Sequence, residues 1–127
     1  MPKYTKLLNF SKETIGEIQR RDNYSCLFCR IGYHCEEFDP NKLDFIIHDI
    51  MHFIPKSKMG LGIPENGVEG CRYHHHMLDN GNKNRRGEML KIMENYLKSI
   101  YPSWNKSKLV YRKYDNQWVN IETRKLQ

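Results

Sequence analysis

Four residues with soft or borderline donor atoms fall into two short pairs, Cys26-Leu27-Phe28-Cys29 and Cys71-Arg72-Tyr73-His74. Donors spaced this way can grip one ion from a tight turn, and two such pairs supply a closed tetrahedral Zn²⁺ site. A single Cys-x-x-Cys is a common accident, but a second pair about forty residues on in a small chain is a much stronger signal. The expected ion is structural, because four protein ligands leave no position for a substrate. Cys35 is a further thiol and an alternative ligand to His74; it reads as a free or structural cysteine. The plain alternative is that these cysteines are buried small hydrophobes.

The stretch from His48 to Asp79 holds five of the six histidines. Once Cys71 and His74 are assigned to zinc, a second polar set remains: Asp49, His52, Asn66, His75 and Asp79. His75 and Asp79 are four apart, so on a helix they project from one face and can share an ion. His34 and His76 read as surface residues.

The elements that must position these groups are legible in part. Ser11 predicts the N-cap of a helix to about Arg21, with Ile15 and Ile18 on one face and two arginines where cations suit the dipole. Residues 1–10 read as an arm and residues 33–44 as a polar connector. The run Phe45–Ile54, rich in Ile and Phe and closed by Pro55, predicts a strand. Gly60, Gly62 and Pro64 predict a loop, and Asn66-Gly67 is a hairpin-type signal. A helix is expected from about Val68, carrying His74, His75 and Asp79 and ending near Asn80-Gly81. Asn82–Arg86 reads as a basic loop. The clearest helix is Glu88–Ile100, where Met89, Met93, Tyr96, Leu97 and Ile100 form an apolar stripe. Weak alternation through Leu109-Val110-Tyr111 and Trp118-Val119 predicts one or two short strands.

At this point the chain resembles the HNH nuclease family. His52-Phe53-Ile54-Pro55-Lys56-Ser57 looks like its first-strand block, and Asn66 to His75 looks like its Asn-plus-knuckle block. Arg21-Asp22-Asn23-Tyr24-Ser25-Cys26 is similar to the lead-in of zinc-containing members. The resemblance covers roughly residues 15–80. It implies an α+β fold with a ββα-metal (HNH, His-Me finger) core, zinc-stapled and flanked by helices. That gives one domain over 1–127, with a motif core at about 22–81 and a C-terminal helix and tail over 88–127.

The resemblance also implies roles. His52 would be the general base, a task suited to imidazole because its pKa lies near working pH. Asn66 would orient His52 or ligate the metal. A divalent cation, Mg²⁺ or Mn²⁺ with Zn²⁺ or Ni²⁺ as alternatives, would be held by His75 and Asp79 and would stabilise the leaving oxygen of a DNA phosphodiester. There is one departure. The family places Asp or His immediately before its catalytic His, and here that residue is Met51, a poor partner for a hard cation. Strand positions two apart share a face, so Asp49 is expected to supply the ligand, with His48 the alternative. Small proteins of this kind are familiar from bacteriophage genomes, which implies a phage source, and a DNA-packaging terminase is a partner by the same resemblance.

The bulk properties agree with an anionic partner. The 127 residues are 39% hydrophobic and 28% charged, with a formal net charge of +6, and a positive balance favours nucleic acid. Lys56, Lys58, Arg72, Arg85 and Arg86, with Lys83, flank the polar set and are the expected DNA contacts. No apolar run approaches the ~20 residues that span a bilayer, and Met1–Lys6 lacks the hydrophobic region of a secretion signal. A cytoplasmic protein is therefore expected, and the oligomeric state is not indicated. The alternative function is a non-catalytic zinc-stabilised module that binds DNA or protein. A redox role for Cys26 and Cys29 lacks the surrounding βαβ pattern.

Overall fold

In a computed structural model, residues 4–80 and 83–112 are described. Ser11 accepts from the Thr14 amide at 3.1 Å and starts helix α2 (Lys12–Arg21), which buries Ile18 completely. Before it, residues 4–8 form a short helix α1 (Tyr4–Leu8) where an arm was expected. Cys26 caps the single turn α3 (Leu27–Arg30), which carries Cys29. Strands β1 (His48–His52) and β2 (Gly67–Cys71) pair antiparallel, from His48 opposite Cys71 to His52 opposite Gly67. Helix α5 (Arg72–Asn80) follows β2 directly, and α6 (Lys83–Ile100) packs against it. The molecule is thus a small α+β fold with a two-stranded sheet.

Several boundaries differ from the expected ones. Residues 43–46 are a helical turn, α4 (Leu43–Ile46), and not the start of the strand. The turn buries Phe45 against the Tyr73 ring of α5, centroids 4.7 Å apart, and leaves Leu43 and Ile46 exposed. Gly67 is extended (φ −134°) and opens β2, so Asn66-Gly67 is not the hairpin turn; residues 53–66 connect the strands. Helix α5 begins at Arg72 and not near Val68, because Val68, Glu69 and Gly70 are committed to pairing with β1. A Cβ on Gly70 would lie 2.4 Å from Met51 Cε, so a side chain there would have to displace the buried end of Met51. Helix α6 begins at Lys83, which places Arg85 and Arg86 in a helix and not a loop. Arg86 donates to Leu78 O at 2.9 Å, tying this first turn to the end of α5. In the tail, Val110 makes an isolated bridge to Gly60; Trp118-Val119 lies outside the described residues, as do Gly81 and Asn82.

One apolar cluster holds these elements together. Met89, Met93 and Leu97 of α6 are fully buried with Phe28, Met51 and Val68, the face that the stripe in α6 required. The Arg21-Asp22 pair locks α2 to this core. Asp22, 1% exposed, accepts from Arg21 Nε at 2.7 Å, from the Glu69 amide at 2.9 Å and from the Tyr96 hydroxyl. Arg21 also donates to Pro64 O and Gly67 O, at 2.8 and 2.7 Å. Among the described residues, no helix is long and apolar enough to cross a membrane.

Candidate metal centre and active-site cleft

Cys26 and Cys29 come from the turn at α3, Cys71 from the last residue of β2, and His74 from the first turn of α5. One donor atom from each lies within 4.8 Å of all the others. Bonds of about 2.3 Å to sulfur and 2.05 Å to nitrogen give a tetrahedron with S···S edges of about 3.8 Å and S···N edges of about 3.6 Å. Cys29 Sγ to Cys71 Sγ is 3.7 Å, and His74 Nδ1 lies 3.7, 3.6 and 3.3 Å from Cys26, Cys29 and Cys71. His74 Nε2 donates to Tyr33 O at 2.6 Å, which leaves the Nδ1 lone pair directed at the three sulfurs.

The thiols are crowded. A hydrogen bond from Cys71 holds Cys26 down at about 3, burial pushes Cys29 up to about 12, and the bond to Cys26 raises Cys71 further. A divalent cation relieves that opposition between neighbouring thiolates. The geometry and the donor set fit a structural zinc ion. Cys35 stands outside the group, its thiol against Tyr33 O at 3.5 Å.

A second site lies along β1. A cleft of about 710 Å³ is lined by His48, Asp49, Ile50 and His52 of β1, by Phe10 and Gln19, and by His75, Asp79 and Arg86. His52 Nε2 donates to Leu8 O at 2.9 Å. A carbonyl only accepts, so the neutral ring carries its proton on Nε2 and its lone pair on Nδ1. Burial lowers the His52 pKa below the ordinary 6.5, outweighing the Leu8 hydrogen bond that raises it, with smaller downward contributions from Lys56 and His75; the imidazole is thereby kept unprotonated near neutral pH.

Asp49 and His75 meet across β1 and α5. His75 Nδ1 lies 2.9 Å from Asp49 Oδ2, and His75 Nε2 lies 3.3 Å from Asp79 Oδ2. Arg72 adds a 3.3 Å contact to the other Asp49 oxygen. Burial pushes the Asp49 carboxyl up, but the bonds from His75 and Arg72 outweigh it and the net shift is downward. Asp49, His75 and Asp79 therefore form a chain of contacts with His75 in the middle.

Met51 is fully buried in the core, so the residue before His52 presents no ligand. Asn66 is equally buried and does not line the cleft. Its side chain grips the loop after His52, with Ile54 N at 2.8 Å, Ile54 O at 3.0 Å and Leu61 O at 2.8 Å. Its side-chain atoms are spent on these backbone groups and are not offered to the cleft.

Of the expected DNA contacts, Lys56 and Arg86 line the cleft; Arg72 pairs with Asp49, and Lys58 and Arg85 are exposed outside its lining. The side chain of Lys83 lies outside the described part. The cleft also takes in groups with no local signal in the chain, Asn9 and Phe10 from the N-terminal segment and Gln19 from α2, together with His48, the alternative to Asp49. His48 Nδ1 is 2.5 Å from Oε2 of Glu69, a buried carboxylate whose other oxygen has no partner.

Comparison with family models, curated proteins and solved structures gives no match for this chain.

Proposed function

We propose that this chain is a metal-dependent endonuclease of the HNH type, with a zinc-stapled ββα core, that hydrolyses DNA phosphodiester bonds. The observation that carries the reading is one cleft that brings His52 together with Asp49, His75 and Asp79, walled by Lys56 and Arg86. The order of two paired strands, then helix, with Cys71 and His74 where β2 meets that helix, supports it further.

Two carboxylates and an imidazole are donors that suit Mg²⁺ or Mn²⁺. Both His75 nitrogens face carboxylate oxygens, which only accept; His75 with Asp49 or Asp79 would hold the cation. When bound there, it supplies positive charge to the phosphate and the departing oxygen. His52 takes a proton from water at Nδ1 as the water oxygen bonds to phosphorus. The P–O3′ bond breaks, and O3′ takes its proton from solvent, leaving a 5′-phosphate and a 3′-hydroxyl. Lys56 and Arg86 hold the adjoining phosphates. A phage origin and a terminase partner rest on the resemblance alone.

Nicking of supercoiled DNA with Mg²⁺ or Mn²⁺ tests the reading, with His52→Ala as the control. No cleavage by the parent, or equal cleavage by the variant, sinks it. A second reading, a non-catalytic zinc module that binds DNA or protein, is favoured by the buried Met51 and by the engagement of both His75 nitrogens. Metal content separates the two: zinc alone for a module, zinc plus a weaker divalent site for the nuclease.

A further inference from the structure

We propose that the segment at residues 7–10 is a strap that forms part of the active site, in which the Leu8 carbonyl and the Phe10 ring hold His52 in the tautomer with a free Nδ1. The catalytic importance of this strap rests on the endonuclease reading; its effect on His52 does not.

Three consecutive residues of the strap each touch a cleft side chain. Leu8 O accepts from His52 Nε2 at 2.9 Å, Asn9 Oδ1 accepts from Lys56 Nζ at 2.7 Å, and the Phe10 ring lies 4.2 Å from the imidazole, tilted 37°. The segment is docked and not merely adjacent. The Gly62 amide donates to Leu7 O at 2.8 Å, and the Leu8 side chain is buried.

Two glycines leave the room it occupies. A Cβ on Gly62 would lie 2.2 Å from Asn9 O, and one on Gly67 would lie 2.8 Å from the Phe10 ring. At the far end Ser11 caps α2, so the strap is held between its contact with Gly62 and the start of a helix.

The consequence for His52 follows from hydrogen-bond chemistry. A neutral imidazole carries one proton and chooses between its two nitrogens by what each faces. The Leu8 carbonyl accepts only, so it selects the Nε2–H form and leaves the Nδ1 lone pair to receive a proton. Without the strap, the ring would exchange between tautomers and rotamers, and water would solvate it. The Leu8 hydrogen bond by itself raises the His52 pKa, and burial outweighs it. Leu8 and Phe10 are positioning groups: they act on His52 and not on the substrate.

The test uses full-length ¹⁵N-labelled protein and long-range ¹H–¹⁵N correlation to read the His52 tautomer, beside the nicking assay. Wild type is expected to show Nε2 protonated and Nδ1 bare. Gly62→Ala, which drives a methyl group into Asn9, and Phe10→Ala, which removes the ring against the imidazole, are each expected to convert His52 to an exchanging mixture while zinc is retained. Nicking by these variants is expected to fall about 100-fold, the order of loss for an ångström-scale misplacement. A wild-type His52 that is Nδ1-protonated or already mixed overturns the proposal, whatever the nicking result. So does an unchanged tautomer in both variants. If Gly62→Ala does not fold, Phe10→Ala decides. If wild type does not nick, the endonuclease reading falls, and the tautomer readout still decides whether the strap sets His52.

Discussion

Replacing Asn66 with Ala should unlock the loop that follows the proposed base. The Asn66 side chain is fully buried, and its three hydrogen bonds at 2.8–3.0 Å all go to backbone groups of Ile54 and Leu61. Each contributes about 1 kcal/mol net, so the loss is about 3 kcal/mol. At about 4 °C per kcal/mol in a domain of this size, Tm should fall by about 12 °C. The clamp also depends on Gly60, where a Cβ would lie 1.7 Å from Ile54 O and 3.0 Å from Asn66 Nδ2. Gly60→Ala should therefore be at least as damaging. Thermal unfolding of the zinc-loaded protein, followed by circular dichroism, is the assay. A fall of less than about 3 °C for Asn66→Ala, under 1 kcal/mol by the same conversion, would refute the clamp.

Other outcomes follow from the same geometry. The protein should hold one zinc ion per chain, and Cys71→Ser should abolish stoichiometric zinc in elemental measurement and lower Tm sharply, since structural zinc contributes folding energy. Gly70→Ala places a methyl group 2.4–2.7 Å from the end of the buried Met51 side chain; overpacking of this kind costs about 1–3 kcal/mol, measurable by urea unfolding. The His52 pKa is lowered below 6.5, so the unfolded chain binds more protons than the folded one just below that pH. Stability should fall as pH drops from 6.5 toward the folded value, and His52→Gln should flatten that slope.

The Cys26, Cys29, Cys71 and His74 cluster was legible in the chain because thiol and imidazole spacing is a local signal. Ser11 and the α6 stripe were legible for the same reason. Boundaries within 43–71 were not. The Ile- and Phe-rich run looks like one long strand, yet burial of Phe45 against Tyr73 favours a helical turn at its start. Asn-Gly normally signals a two-residue turn, but here Asn66 spends its side chain on Ile54 and Leu61, and Gly67 is extended. Strand parity placed Asp49 with Met51; Met51 is buried in the core, while Asp49 lines the cleft and reaches His75. The contacts of Leu8 and Phe10 with His52 cross more than forty positions, and no local pattern encodes them. Nor does any pattern reveal the Glu69 carboxylate buried beneath His48.

The most direct measurement is the initial rate at which purified, zinc-loaded protein nicks supercoiled DNA in Mn²⁺ or Mg²⁺, compared with His52→Ala and His75→Ala at matched zinc content. The expected result is metal-dependent nicking by the parent and a loss of at least about 100-fold in His52→Ala, the scale of a missing general base. Nicking that survives both substitutions, or a parent that leaves every DNA form intact with either cation, would contradict the assignment of the cleft.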